Sequence, residues 1–436
     1  MENKTLEIPQ EKTAQEVVES KMLKYKKQKN IELYKSYRAF SYDLLFYYAV
    51  IYLFLTIEKG ISAAEVLQFD AFYILFRALL QIPGTILIQK IGKRKSIIIA
   101  NVILVIHMLI IIFATNFNQL LISQLLCAIS FVIKSTCETD LLYDSIEHGE
   151  KRGSTFAKID GKANSRHYYM EAISAVISGF LFVVNPYMPM VLCLLVLAFT
   201  SFISTKFVDI QGKPEKTRIL SELKDLKYSF KNIFKSNRLK SLLLFNALMV
   251  AMIKILQNLR NTVLLEIGMP EQYFGIIFAV LGIIAGISAR NQNIIHKRFR
   301  NKTLAFLGMP MAISCLLMGI VLMLKLDVKI VIPIIFILFI VQYIAKGPYY
   351  ILIKRYFNNF TNSAKRVKIA TVNNLIENLV VSILIFGAAF VLDNVSITYT
   401  LIVIGCISVI SMLLTLMRMK KTVGLKMEQY GKKEIL

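Results

Sequence analysis

The chain has 436 residues, 56% of them hydrophobic, with a mean hydropathy of +0.57, no Trp and a formal net charge of +24. A soluble domain of this length carries more charge and fewer unbroken apolar runs, so a chain that crosses a membrane several times is expected. The five cysteines (Cys127, Cys137, Cys193, Cys315, Cys406) all fall in apolar runs with no CxxC or Cys/His cluster, which argues against a disulfide framework and a zinc site.

Residues 1–38 are polar, helical in pattern and end in a basic run from Lys21 to Arg38. Acidic residues and Pro9 precede any apolar run, unlike a secretory signal peptide. Val17, Val18, Met22, Tyr25, Leu33, Tyr34 and Tyr37 suit either a membrane surface or a solvated tail. Apolar runs follow at 39–57, 66–89, 96–115, 120–143, 167–185 and 188–206. They resume at 241–264, 273–290, 303–324, 330–353, 369–391 and 399–417, which makes twelve predicted helices in two sets of six.

The turn between the second and third runs, Thr85 to Ser96, crowds Lys90, Lys93, Arg94 and Lys95 around Gly92 with no carboxylate among them. Cytoplasmic loops are enriched in Lys and Arg, so this turn is expected to face the cytoplasm. With the N-terminus inside, 44 of the 52 Lys and Arg fall in inner segments. Only Lys59, Lys325 and Lys329 fall in outer ones. That asymmetry predicts cytoplasmic termini in a cell membrane whose anionic inner leaflet meets the basic loops, and it accounts for the net charge without nucleic acid.

Between the two sets, Ile219, Leu223, Leu226, Phe230 and Ile233 recur at spacings of four, three, four and three with lysines between them. This reads as an amphipathic linker helix lying on the inner leaflet. The expected division is therefore a segment 1–38, a six-helix half 39–206, a linker 207–240, a second half 241–417 and a tail 418–436. The halves also look related. Lys134 and the loop pair Lys151-Arg152 have counterparts in Lys346 and Lys365-Arg366, and the basic turn at 92–95 has one at 296–302. Duplicated halves with substrate held between them are common among transporters.

Inside the predicted helices lie five bases (Arg77, Lys134, Lys254, Arg260, Lys346) and six acids (Asp43, Asp70, Glu138, Asp140, Glu171, Glu377). A charge at the bilayer centre costs about 2.5–3.5 kcal/mol, so the central ones must face protein or water. Asp70 and Arg77 share one helix face and could pair. Lys134 and Glu138, four apart, could pair directly. Lys254, Gln257 and Arg260 fall within one third of a helix circumference, and Lys346 precedes Gly347-Pro348, where a kink is expected. Asp43, Asp140 and Glu171 sit near inner helix ends and read as gate or interfacial groups. His107, alone among apolar neighbours, reads as a packing residue.

At this point the chain resembles the major facilitator superfamily from about residue 39 onward. Thr85, Leu87, Lys90, Gly92, Lys93 and Arg94 take the positions of that family's loop between helices 2 and 3, with Gln89 where an Asp is expected. Asp144 through Lys151-Arg152-Gly153 and Phe156 are similar to its loop after helix 4. The resemblance implies an all-helical fold of twelve membrane helices in two pseudo-symmetric halves, working by alternating access. It implies that helices 1, 4, 7 and 10 line a central cavity, so that Lys134, Lys254, Arg260 and Lys346 contact substrate. It also implies a cytoplasmic gate formed by Gln89, Gly92, Lys93, Arg94, Asp144 and Arg152. The stretches around Gln124 and Gly179 depart from the drug/proton antiporter patterns of the family.

The expected function is proton-coupled export of a small organic molecule, with Glu138 or Glu377 as protonatable groups and Asp70, Arg77, Lys134, Lys254, Gln257, Arg260 and Lys346 as further binding or coupling residues. An uptake permease of the same fold is the runner-up, and a non-transporting receptor or accessory protein is the alternative of another class. No nucleophile–base set, metal cluster or phosphate loop supports an enzyme, and no cofactor is expected. Acids and bases nearly cancel in the helices, so the sequence favours an anionic substrate only weakly. The oligomeric state is open, and a monomer suffices.

Overall fold

In a bilayer every backbone N–H and C=O must be bonded within the protein, and long Ile- and Leu-rich runs meet that demand as helices. The computed structural model describes residues 14–147, 149, 152–210, 235–299, 302–359 and 366–422, and among them there is no strand. The first half comprises α1 (Ala14–Ser41), α2 (Ile51–Leu53, continued as a π-helical turn Phe54–Glu58), α3 (Ala63–Ile91) and α4 (Lys93–Phe113). It is completed by α5 (Phe117–Ser145), α6 (Arg152–Val184) and α7 (Tyr187–Ser204). The second comprises α8 (Asn237–Glu266), α9 (Gln272–Arg290), the short α10 (Gln292–Phe299), α11 (Thr303–Met323), α12 (Val328–Asn359), α13 (Arg366–Asn394) and α14 (Ile397–Thr422). The predicted linker helix lies outside the described residues.

Local chemistry marks several helix starts. Ser62 and Glu65 form a capping box at α3, while Asn116 and Ser236 accept the orphan amides of α5 and α8. Gly92 ends α3 and begins α4 at φ +90°, a backbone setting closed to residues with a Cβ.

Among the described residues eleven helices are long and apolar enough to cross a membrane. The expected first span, 39–57, departs from this. The chain leaves α1 at Ser41 and becomes helical again only at Ile51, with Phe46 at φ +63° between them. The freed backbone groups are met by side chains: Asp43 Oδ1 accepts the Leu44 amide at 3.0 Å, and Ser178 on α6 donates to the Phe46 carbonyl at 3.3 Å. Such a break at membrane depth is tolerated where it lines a cavity. Tyr34 and Tyr37, expected at a membrane surface or in a solvated tail, are instead buried where α1 packs on α5, α6 and α7. The predicted loop 144–166 is largely helix as well, since α6 begins at Arg152.

Packing repeats between the halves. In the first, α3 packs on α5, α4 on α5 and α7, and α1 on α6 and α7. In the second, α9 packs on α12, α11 on α12 and α14, and α8 on α13 and α14. Each pairing recurs six spans later, so the two halves are pseudo-symmetric and the chain is a multi-pass membrane protein.

The halves meet along α3–α13 and along α6–α9, themselves an equivalent pair. At the first seam Ser382 donates to the Ala71 carbonyl at 3.0 Å and Phe72 packs edge-on against Phe386. At the second, Gly179 and Gly275 bring the backbones into direct contact. Both contacts lie toward the end opposite the basic loops. Nearer the basic end α6 buries only Ala163 and His167 among its described side chains, with Lys162, Ser165, Arg166 and Tyr169 exposed, and on α9 Gly282, Ile283, Gly286 and Ile287 are exposed.

Candidate functional site

Between the halves lies a cavity of about 310 Å³, at the small end of the usual range for ligand pockets. The break after α1 puts Asp43, Tyr47 and Tyr48 on its wall. Asp70, Tyr73 and Arg77 come from one face of α3, and Lys254, Gln257, Arg260 and Asn261 from one face of α8. Glu171 of α6 and Lys346 of α12 complete the charged wall, with Gln124 and Cys127 from α5. Six of the nine expected binding or coupling residues therefore share one site: Asp70, Arg77, Lys254, Gln257, Arg260 and Lys346.

The charge is divided by half. The first half supplies Asp43, Asp70, Glu171 and Arg77; the second supplies Lys254, Arg260 and Lys346 and, among the described residues, no acid. Across the seam Asp70 faces Lys254 and Asn258, and Glu171 faces Lys346. Arg77 stands beside Tyr73, 5.6 Å over its ring, with Asp43 and Tyr48 nearby. Asp70 and Arg77 do not form the expected pair, because seven residues separate them by about 10.5 Å along the helix axis. Asp43 and Glu171, expected near inner ends, are cavity residues. The break after α1 and the early start of α6 set their depth, and no spacing signal in the sequence reveals either.

Arg260 is buried. Its Nη1 donates to the Tyr343 hydroxyl at 2.6 Å, and Nε and Nη2 donate to Asn261 Oδ1 at 3.2 and 3.1 Å. Its guanidinium lies 5.3 Å over the Phe278 ring, and Lys346 Nζ lies 4.9 Å over that of Tyr343.

Lys134 and Glu138 are placed elsewhere, which corrects the expectation that Lys134 lines the cavity. Lys134 is on the same face of α5 as Cys127 but two turns nearer the basic end, where α1 covers that face with Tyr37. The two residues do pair, Nζ to Oε1 at 3.7 Å, within a buried network. Glu138 accepts from the Arg38 guanidinium and, at 2.6 Å, from the Tyr37 hydroxyl; Asn101 bridges Tyr37 and Lys134 at 2.6 and 3.1 Å. Asn164 and Asp160 extend it to Arg38 and Tyr34. Four helices are thereby tied together inside the first half.

Glu377 also lies off the cavity wall. It accepts from Asn246 Nδ2 at 2.5 Å, and the Tyr349 hydroxyl donates to Asn246 Oδ1 at 2.8 Å. His107 is buried with its Nδ1 against the Ser123 hydroxyl at 2.7 Å.

Of the expected gate residues, Lys93 pairs with Asp144 at 2.5 Å, and Arg152 approaches the same carboxylate at 3.9 Å while donating to the Tyr143 carbonyl. Arg94 caps the end of α7 through the Thr205 and Phe207 carbonyls at 2.9 and 2.6 Å. These bonds join helix ends within the first half, around the turn at Gly92. The side chain of Gln89 lies outside the described residues.

A structure of the nucleoside transporter NupG superposes with a TM-score of 0.70 at 11% identity, over 91% of this chain and 99% of that one. A POT family transporter in complex with a thioalcohol-conjugated peptide gives 0.66 at 14% identity, over 90% and 96%. Another, in complex with 5-aminolevulinic acid, gives 0.65 at 13%, over 95% and 99%. At these identities the likeness establishes the fold alone. No curated protein matches by sequence. The sequence profile of the Major Facilitator Superfamily matches residues 39–324, beginning where the chain enters its first span. With paired six-span halves around a charged cavity, this chain belongs to the Major Facilitator Superfamily and is a transporter, not an enzyme.

Proposed function

We propose that this transporter moves a small organic molecule by alternating access, coupled to protons, in the direction of export from the cell. The observation that carries the reading is the cavity at the seam, with all its acids from one half and three of its four bases from the other. Charges that pair across the seam can be separated and solvated when the halves rock, so substrate and access compete for the same groups. The basic loops support a bundle whose basic end and two termini face the cytoplasm of a plasma membrane. In that orientation the contacts at Gly179 and Gly275 close the outer side, and the exposed inner stretches of α6 and α9 favour loading from the cytoplasm, as export requires.

Of the two acids expected to carry the proton, Glu377 is the better candidate. Glu138 is bound to two cations and a tyrosine inside the first half, a set of contacts that gives it a structural part. Glu377 accepts its hydrogen bond from a neutral amide and has no ion-pair partner within 4.0 Å among the described residues. The Lys93–Asp144–Arg152 cluster serves the gate by keeping the inner ends of the first half together as it moves.

The test is proton-driven flux of a stabilising compound in proteoliposomes. Glu377→Gln should abolish the flux while leaving insertion and thermal stability intact; undiminished flux would remove Glu377 from the coupling step. Inside-out vesicles separate export from uptake, which would use the same cavity.

A further inference from the structure

The five bases and six acids of the helices nearly cancel along the sequence, but the fold sorts them unevenly. Four of the bases line the cavity (Arg77, Lys254, Arg260, Lys346), against three of the acids (Asp43, Asp70, Glu171). Of the other acids, Glu138 is bound to Arg38 and Lys134, Glu377 is bonded to Asn246, and Asp140 is exposed near Lys93. The cavity wall is thus left with one formal positive charge in excess.

That excess has an address. Arg77 lies within electrostatic reach of Asp43, Lys254 of Asp70 and Lys346 of Glu171, although none of these carboxylates comes within 4.0 Å of its base; what sets Arg260 apart is its set of hydrogen-bond partners. Arg260 has only neutral partners, the Tyr343 hydroxyl and the Asn261 amide oxygen. It is 4% exposed, and no carboxylate lies within 4.0 Å of it among the described residues. A guanidinium carries five N–H donors, and the three bonds to Tyr343 and Asn261 use three of them. One N–H remains on each of Nη1 and Nη2, the fork that matches two oxygens of a carboxylate or phosphate. A buried cation without a countercharge is costly, and a bound anion removes that cost.

The geometry points to an anionic substrate: a small molecule whose carboxylate or phosphate is gripped by Arg260, with Lys346 as the neighbouring cation and the tyrosine-lined wall around its body. The inference rests on reading the cavity as the substrate site.

The probes are benzoate and hexanoate, phenyl and hexyl phosphate, and, as neutral and cationic counterparts, benzamide, hexanamide, benzylamine and hexylamine. Each is measured by thermal stabilisation of the purified full chain. Only anions should stabilise the wild type, and whether carboxylates or phosphates do so identifies the head group. Arg260→Gln should lose that stabilisation while its ligand-free Tm is no lower than wild type, because it removes an uncompensated charge. Arg260→Lys, which keeps the charge but not the fork, should bind the same anion about ten- to a hundred-fold more weakly.

Stabilisation by the amides or amines to the same degree would overturn the inference. So would no stabilisation by any anion, an anion effect that survives Arg260→Gln, or a marked fall in the ligand-free Tm of that variant. Failure of the transport reading looks different: anions would then stabilise through Arg260 without being moved in proteoliposomes.

Discussion

Gly275→Ala tests whether the contact between α6 and α9 works as the outer gate. A Cβ at this position would overlap the Ala175 carbonyl oxygen and lie 2.9 Å from its carbon and 3.2 Å from the Gly179 amide nitrogen. All three are backbone atoms, so no side chain can swing aside, and the helices must part by roughly 1 Å to regain ordinary contact. Overpacking of this kind costs about 1–3 kcal/mol. That cost falls only on the state in which the outer ends touch, so the balance should move toward outer opening by about 5- to 150-fold. Cys127 can report the change, since it is a free thiol on the cavity wall. Its labelling by a membrane-impermeant maleimide from the outer face should accelerate accordingly. Gly282→Ala on the same helix, where a Cβ meets nothing within 4 Å, should leave the rate unaltered. A folded Gly275→Ala protein with wild-type labelling would refute the gate.

Three further substitutions test the buried charge network and the turn at Gly92. Glu138→Gln leaves Arg38 and Lys134 buried without their anion and should cost about 3–5 kcal/mol, read as a lowered Tm in detergent. An unchanged Tm would mean that the network contributes little. Adding Lys134→Met to Glu138→Gln should recover part of that loss, because one of the stranded cations is gone; a further drop would show that Lys134 has another anionic partner. Gly92→Ala forces a side chain into φ +90° and should cost about 1–3 kcal/mol, measured by chemical denaturation. A neutral result would mean that the turn relaxes.

Eleven of the twelve expected spans and the separation into halves were legible because a bilayer demands long apolar runs, and these stand out in any hydropathy reading. Five charged cavity residues (Asp70, Arg77, Lys254, Arg260 and Lys346) were legible because charge inside a span is costly and must have a use, and Gln257 followed from sharing the face of Lys254 and Arg260. Two things were hidden. The break at 42–50 carries apolar and tyrosine residues that read as helix; the groups that make it tolerable, such as Ser178, come from another helix. The destination of a charge was hidden too. Lys134 and Glu138 announce their pairing by spacing, yet which neighbour covers their face depends on α1, and Arg38 lies just outside the predicted span. Spacing along one helix also suggested Asp70 with Arg77, when the nearer charges stand across the seam.

The central claim is that the halves rock about the cavity, so that one end closes as the other opens. Pulsed electron spin resonance on two label pairs measures this directly: Glu58→Cys with Lys329→Cys at the outer end, and Lys90→Cys with Lys354→Cys at the basic end. On introducing Gly275→Ala, the account predicts a longer outer distance together with a shorter one at the basic end. Outer and basic distances that change in the same direction, or an outer distance that lengthens while the basic end stays fixed, would contradict it.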